Sequence, residues 1–227
     1  MDSGNTPLAW AARSGHEEVV EMLLGRDHVN PDKPNDCGRT PLWYAARGGH
    51  AGVVKILLGR GDVNPNRPDN YGETPLCCAA WNGNDRVVKM LLERGDINPD
   101  KPNDDGQSPL WNAACGAREG AVKILLERSD VDPNKPDNCG QPPLCCAAWN
   151  GNDGVVKMLL GRDDIDPDKP SDKGRTPLWY AARSGYEGVV KILLRRGDVN
   201  PNKPDNCGET PLCCAAWNGN DRVVKML

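Results

Sequence analysis

The apolar and polar positions of this chain follow one pattern that returns every 34 residues. In its third occurrence, Thr74-Pro75-Leu76 opens a short apolar stretch that continues through Ala79 and Ala80 and breaks at Gly83. Thr is a favourable N-cap, and Pro at the first helical position lacks only an N–H that would have no partner there, so a helix is predicted from Pro75. Asp85 then starts a second helix. Its Val87, Val88, Met90, Leu91 and Leu92 recur at helical spacing and predict a buried face ending near Gly95. Next comes Asp96-Ile97-Asn98-Pro99-Asp100-Lys101-Pro102, whose prolines and Asp/Asn residues exclude helix and predict an extended, turn-rich loop. Gly106 precedes the next helix, as Gly4, Gly38, Gly72, Gly140, Gly174 and Gly208 precede theirs. A Gly at each such site predicts a positive φ or a close backbone approach.

The anchors are Thr6, Thr40, Thr74, Ser108, Pro142, Thr176 and Thr210, each followed by Pro-Leu and spaced by 34. They divide the chain into repeats 1–34, 35–68, 69–102, 103–136, 137–170 and 171–204 and a partial repeat 205–227, with no linker between them. A fixed period over the whole length is the signature of a repeat architecture. It predicts a single domain over 1–227, an all-α repeat solenoid of helix-turn-helix pairs with projecting loops. A second period lies on top. PLCCAAWNGND occurs at 75–85, 143–153 and 211–221, and TPLWYAAR at 40–47 and 176–183, so copying by pairs of repeats is implied.

Composition fits this reading. Gly 25 and Pro 20 of 227 residues exceed average usage, roughly 12%, and they punctuate the repeats. The net charge of −4, from 28 basic and 32 acidic residues, gives no footprint for nucleic acid. No apolar run approaches the roughly 20 residues of a membrane span, and the N-terminus lacks the regions of a signal peptide. The ten cysteines are therefore expected to be reduced thiols of an intracellular, cytoplasmic protein.

The pattern G-x-T-P-L-x-x-A-A-x-x-G-x-x-x-V-V-x-x-L-L is matched by GRTPLWYAARGGHAGVVKILL at 38–58 and is followed by Asp62-Val63-Asn64. It resembles the ankyrin repeat, and the resemblance covers all 227 residues. It implies stacked helix pairs with hairpin loops projecting at about right angles, and protein recognition rather than catalysis. The chain departs from the family pattern in three places. The family's His after T-P-L is replaced by Ala9, Trp43, Cys77, Trp111, Cys145, Trp179 and Cys213, so bulk or thiol packing is expected in place of its Thr–His hydrogen bond. Pro142 replaces the N-cap Thr, at a cost of about 1 kcal/mol. The loop has one residue fewer before D-V-N and two more after it, which resembles expanded ankyrin arrays of some fungal multidomain proteins.

In this family, contact positions are implied just after the A-A pair and around the Gly before T-P-L. The first row holds Arg13, Arg47, Trp81, Cys115, Trp149, Arg183 and Trp217. Trp and Arg are enriched at interface hot spots. Helix–helix spacing puts Arg47 within reach of Trp81, and Arg183 within reach of Trp149 or Trp217, in a cation–π ladder. Two readings stay open: the rings contact a partner, or they pack on neighbouring loops and stiffen the stack. The loop tips hold Cys37, Tyr71, Asp105, Cys139, Lys173 and Cys207, with Arg39, Glu73, Gln107, Gln141, Arg175 and Glu209 beside them. From these rows, Arg39, Tyr71, Glu73, Lys173 and Arg175 join the first-row Arg and Trp residues as candidate partner contacts.

Other chemistry is thin. The pairs Cys77-Cys78, Cys145-Cys146 and Cys213-Cys214 are too far apart for one zinc ion, and neighbours on a helix face apart, so buried thiols are expected. The alternating acidic loop residues, such as Asp164, Asp166 and Asp168, lack the Gly and bidentate Glu of a calcium loop; side-chain bonds to the loop backbone are expected instead. Lys55, Lys89, Lys123, Lys157, Lys191 and Lys225 form a stripe, with acids four residues earlier in most repeats, so i,i+4 ion pairs are expected. No catalytic residue, metal or cofactor is indicated.

The function expected is a non-catalytic module that binds a partner protein, of identity not given by the sequence, on its concave face and loop tips. Neither nucleic acid nor membrane is an expected partner. Two alternatives stand beside it: a head-to-tail self-assembling array, suggested by Val223, Val224, Met226 and Leu227 ending without a cap, and the sensor region of a larger multidomain receptor. The chain alone is expected to be a monomer, with end-to-end association as the exception.

Overall fold

The structure is a computed structural model that describes residues 3–227. The described residues hold fourteen α-helices in repeating pairs and no strand. The first helices of the pairs are α1 (Pro7–Arg13), α3 (Pro41–Gly48), α5 (Pro75–Asn82), α7 (Pro109–Cys115), α9 (Pro143–Trp149), α11 (Pro177–Ser184) and α13 (Pro211–Trp217). The second helices are α2 (Glu17–Leu24), α4 (Ala51–Leu58), α6 (Asp85–Leu92), α8 (Glu119–Leu126), α10 (Asp153–Leu160), α12 (Glu187–Leu194) and α14 (Asp221–Val224). The chain forms two compact units, one up to Pro109 and one from Leu110 onward. In the first, α1, α3 and α5 pack in sequence, as do α2, α4 and α6; in the second, α9, α11 and α13, and α8, α10 and α12, do the same. This is the packing of a helical repeat solenoid, in which each repeat touches its neighbours.

The predicted caps form. Thr40 and Thr74 accept backbone N–H bonds from Trp43 and Cys77, each at 3.1 Å, and Pro follows at the first helical position. Pro142 has no side-chain cap, as expected. Ala45, Ala46, Ala79 and Ala80 are fully buried, so α3 and α5 approach closely. The second helices bury Val87, Val88, Leu91 and Leu92, whereas Met90 is only half-buried.

The loops turn back on themselves. The amide of Asp69 donates to the carbonyl of Glu73 at 3.0 Å, and Gly72 takes φ 75° at the tip. A Cβ on Gly72 would lie 2.6 Å from the amide nitrogen of Asp104 in the next loop, so both reasons for glycine apply there. The next loop is tied on by the amide of Asp104, which donates to the carbonyl of Tyr71 at 3.0 Å. The Asp69 side chain builds the turn: its Oδ1 accepts from the amides of Tyr71 and Glu73 at 2.9 and 3.0 Å. Asn35, Asn103, Asp137 and Asp205 do the same in their repeats. The acidic loop residues also bond to backbone, as Asp166 Oδ1 does to the amide of Asp168 at 3.0 Å.

The i,i+4 lysine pairs expected on the second helices do not form among the described residues. Five ion pairs sit instead just after α4, α6, α8, α10 and α12: Arg60–Asp62, Arg94–Asp96, Arg128–Asp130, Arg162–Asp164 and Arg196–Asp198, at 2.7–2.8 Å. An Arg two residues before an Asp, in a tight turn, can offer two parallel N–H donors, which a flexible lysine cannot. The Arg partners hold the exposed Asp62, Asp96, Asp130, Asp164 and Asp198 carboxyls below their ordinary range.

Candidate partner-binding surface

At the family-type His position, Trp43, Trp111, Cys77 and Cys145 bond forward to the next loop. Trp43 is buried, and its indole N–H donates to the carbonyl of Glu73 at 3.1 Å; Trp111 donates to the carbonyl of Gln141 at 2.9 Å. Cys77 Sγ reaches the carbonyl of Lys101 at 3.4 Å, and Cys145 Sγ reaches that of Lys169 at 3.5 Å. Beyond the expected bulk or thiol packing, these side chains also supply polar ties between repeats. Trp179 is an exception: its ring is buried but its N–H has no partner.

Two equivalent clusters follow, one in each compact unit. Ala9, Trp43, Tyr44 and Cys78 pack together in the first, and Cys145, Trp179, Tyr180 and Cys214 in the second. Trp43 meets Tyr44 edge-on at 5.2 Å, and Trp179 meets Tyr180 likewise at 5.3 Å. Arginines crowd these rings. Arg39 and Arg47 lie 4.5 and 5.3 Å from the Trp43 centroid; Arg175 and Arg183 lie 4.2 and 5.4 Å from that of Trp179. The expected ladder from Arg47 to Trp81, and from Arg183 to Trp149 or Trp217, is thus overturned. Each arginine lies over a tryptophan four residues away in sequence, because i,i+4 positions share a helix face.

The other candidates divide by exposure. Arg13, Arg47, Trp81, Trp149, Arg183, Trp217, Tyr71 and Lys173 are exposed, and Arg39, Glu73 and Arg175 are half-buried. Trp81 and Trp149 leave 46% and 45% of their surface open, and Trp217 90%. Trp149 also lies tilted against Tyr180, with ring centroids 5.0 Å apart, so it has both a packing face and an open face. Arg39 Nε donates to the buried Asp69 carboxylate at 3.3 Å, and Arg175 does the same to Asp205. Burial opposes ionisation of Asp205, but the amides of Glu209 and Cys207 and the Arg175 guanidinium outweigh it and hold the carboxyl below its ordinary range. Burial pushes the Glu73 carboxyl up, while Asn103 Nδ2 donates to it at 2.7 Å. Trp10, 49% exposed under Arg13, belongs to this surface although it lies outside the rows singled out in the sequence.

The cysteines need one correction. Cys77, Cys78 and Cys145 are buried free thiols, but Cys115 and Cys146 form a disulfide between neighbouring repeats, with Cα atoms 5.2 Å apart. Cys115 is therefore a cross-link and not an open contact, and the chain is not all reduced thiols. Asn150 Nδ2 covers both sulfurs, at 3.4 and 3.6 Å. Among the described residues no helix is long and apolar enough to cross a membrane.

Comparison with known proteins agrees with this geometry. The family model for ankyrin repeats in three copies matches residues 27–101, 95–171 and 163–227, and the single ankyrin repeat model matches 3–36. No curated protein shows significant similarity to the chain. Among solved structures, the ankyrin repeat domain of Bcl-3, described as a unique member of the IkappaB protein family, is similar with a TM-score of 0.82 and 26% identity, covering 98% of this chain and 99% of that one. The ankyrin repeat domain of human ASB11 is similar with a TM-score of 0.83 and 26% identity, covering 98% and 97%. Ankyrin repeat domains are in general protein-interaction modules. The 34-residue helix pairs, their Thr-Pro caps and the family models that span them place this chain in the ankyrin repeat family.

Proposed function

We propose that residues 1–227 act as one non-catalytic interaction domain that holds a partner protein on the surface made by the first helices and the loop tips. The observation that carries this reading is the half-open state of Trp81 and Trp149. Both follow fully buried alanine pairs on their helices yet keep nearly half of their surface in water. An indole has a large apolar area with few torsions to freeze, so covering it favours association. Arg13 lies over Trp10, Arg39 and Arg47 over Trp43, and Arg175 and Arg183 over Trp179, and these guanidiniums would supply the charged contacts. Tyr71, Glu73 and Lys173 extend the surface to the loops.

The test is hydroxyl-radical footprinting of the tagged chain, alone and bound to partner recovered from a cell extract. Trp81, Trp149 and Tyr71 are expected to be protected in the complex. Met22, 71% exposed on a second helix, and Tyr186, 39% exposed at the start of another, are expected to stay reactive. Protection of Met22 and Tyr186 with Trp81 and Trp149 still reactive moves the contact to the second-helix face and overturns the reading.

A further inference from the structure

The stretch Pro-Leu-Cys-Cys-Ala-Ala-Trp-Asn occurs at 75–82, 143–150 and 211–218, and its second cysteine does not have the same fate in all three. Cys78 and Cys214 are buried free thiols, and the residues 31 positions before them are Arg47 and Arg183. At the same separation Cys146 meets Cys115, and the two are joined as a disulfide within the second compact unit. The asparagine that follows differs as well. Asn82 and Asn218 each donate Nδ2 to the carbonyl of the second cysteine of their own helix, at 2.8 Å. Asn150 turns instead to the cross-link: its Nδ2 lies 3.3 Å from the Cys115 carbonyl and 3.4 and 3.6 Å from the sulfurs of Cys115 and Cys146. The disulfide is not the sole tie between these repeats. Asn152 Nδ2 donates to the carbonyl of Ala114 at 3.1 Å, and Arg162 Nη1 donates to those of Leu126 and Arg128, both at 2.9 Å. The copies α5 and α13 are helical with Cys78 and Cys214 unbridged, so this sequence folds without the bond.

We infer that Cys115–Cys146 is a reversible redox site, opened in the folded chain by a dithiol reductant and closed by a disulfide oxidant, and that its state regulates the partner surface; the regulation rests on the interaction reading above. Cys115 is the last residue of α7 and is half-buried, whereas Cys146 keeps only 5% of its surface open, so Cys115 Sγ is the sulfur within reach. A thiolate of the dithiol attacks Cys115 Sγ, the S–S bond breaks, and Cys146 leaves as a thiolate that takes up a proton. The second thiol of the reductant then attacks the mixed disulfide and expels Cys115 in the same way. Two electrons and two protons have passed to the protein as two thiols, and the reductant departs as a disulfide. A disulfide oxidant runs the exchange backwards. Asn150 Nδ2 lies beside both sulfurs, so one N–H donor can steady the thiolate that leaves from either. Neighbouring Cys145 stays out of the exchange, because it is fully enclosed and its Sγ is engaged by the carbonyls of Lys169 and Arg175 at 3.5 and 3.6 Å. The path to the partner surface is short. Cys115 stands in the same row as the open tryptophans, and Trp149 follows Cys146 by three residues on α9. The bond fixes that helix end before a partner arrives, which lowers the ordering cost of contact. The closed form is therefore the tighter binder.

The experiment equilibrates the full chain, without denaturant, in mixtures of reduced and oxidised dithiothreitol. Free thiols are counted by acid quenching, maleimide labelling of the unfolded chain and peptide mapping, and helicity is read by circular dichroism in the same samples. Two labels are expected to appear together at Cys115 and Cys146 while helicity is unchanged, and to disappear when oxidised dithiothreitol is restored. The partner recovered for the footprint is then titrated against both forms. The reduced chain is expected to bind it at least about fivefold more weakly, the lower end of ordinary coupling between sites. The Cys115→Ser, Cys146→Ser double variant is expected to match the reduced chain at every mixture. The inference is overturned by any of three results: opening of the bond only as helicity is lost, equal or tighter binding by the reduced chain, or a double variant whose affinity still responds to dithiothreitol. Tryptophan protection in the footprint with equal affinity of the two forms removes this inference alone. Absence of that protection in the oxidised chain removes the interaction reading as well.

Discussion

At the residue scale, one position per repeat decides how neighbours are tied. Trp43 and Trp179 occupy it in nearly identical local sequences, yet only the Trp43 N–H finds a carbonyl. Trp43→Phe takes one of two donors from the Glu73 carbonyl, which keeps the Asp69 amide, and breaks a tie between repeats, whereas Trp179→Phe removes a buried donor that already lacks a partner. The ring volume lost is the same in both. Urea unfolding is expected to show Trp43→Phe more destabilising than Trp179→Phe by about 1 kcal/mol. The thiols give a second prediction at this scale. Burial pushes Cys77 up to about 12 and raises Cys78 and Cys145 well above the ordinary thiol range. At pH 8 these stay protonated and enclosed, whereas Cys139 and Cys207 are exposed, as is Cys213, against the expectation that it is buried; its hydrogen bond with Thr210 holds that thiol below its ordinary range. Iodoacetamide is expected to modify Cys139, Cys207 and Cys213 first, Cys77, Cys78 and Cys145 only on unfolding, and Cys115 and Cys146 only after reduction. Early labelling of Cys77 contradicts the burial argument. The exposure of the Trp row was legible from its place after the alanine pair. The arginine partners were not, because a linear pattern does not show which of two rings a long side chain reaches. Trp43, four residues from Arg47 and sharing its helix face, wins over Trp81 in the next repeat.

At the element scale, the caps explain which helices are well ended and which are not. Helix α5 ends at Gly83 with φ 70°, in the left-handed region, and the equivalent position after α7 is Ala117 with φ 54°. A Cβ is disfavoured there by about 1–2 kcal/mol. Ala117→Gly is therefore expected to raise stability by about 1 kcal/mol, less the extra freedom it gives the unfolded chain. Pro142 sits at the N-cap with ψ 161°, close to the 160–166° of the capping threonines at Thr6, Thr40, Thr74 and Thr176. Thr therefore fits without backbone movement, and Pro142→Thr is expected to add up to about 1 kcal/mol by restoring the side-chain acceptor. Chemical denaturation checks both; a loss of stability in either variant contradicts the cap assignment. Helix starts were readable because Thr-Pro is a local signal. The fates of the charged residues were less so. The lysine stripe suggested helix-face pairing, but the repeated ion pair is the Arg94-type turn, where two residues of separation set a fork geometry that a lysine does not offer. Asn84 shows a further tie with no sequence signal: its Nδ2 donates to the carbonyls of Ala46 and Arg47, at 2.8 and 3.0 Å, closing the end of the preceding repeat's first helix.

At the scale of the whole molecule, the 34-residue period carries most of the fold, since the same helix pair recurs in every repeat. The surroundings of the arginine-tryptophan clusters do not repeat with it. The steps that matter are departures from the period: Arg13 against Trp149, Glu73 turned to Asn103 against Glu209 in a recess wall, and Cys115 cross-linked where other repeats hold Trp or Arg. Such departures are visible in the sequence, but their consequences depend on neighbours 30–38 residues away in the chain, as in the bonds from Asn103 to Glu73 and from Asn84 to Ala46. The central claim is that the open tryptophans are contacts for a partner and not props of the stack. It is tested most directly by the Trp81→Ala, Trp149→Ala double variant, with its urea midpoint measured beside its capture of the wild-type partner. A nearly unchanged midpoint with capture lost is the predicted result. A midpoint that collapses, or capture that persists at wild-type strength, contradicts it.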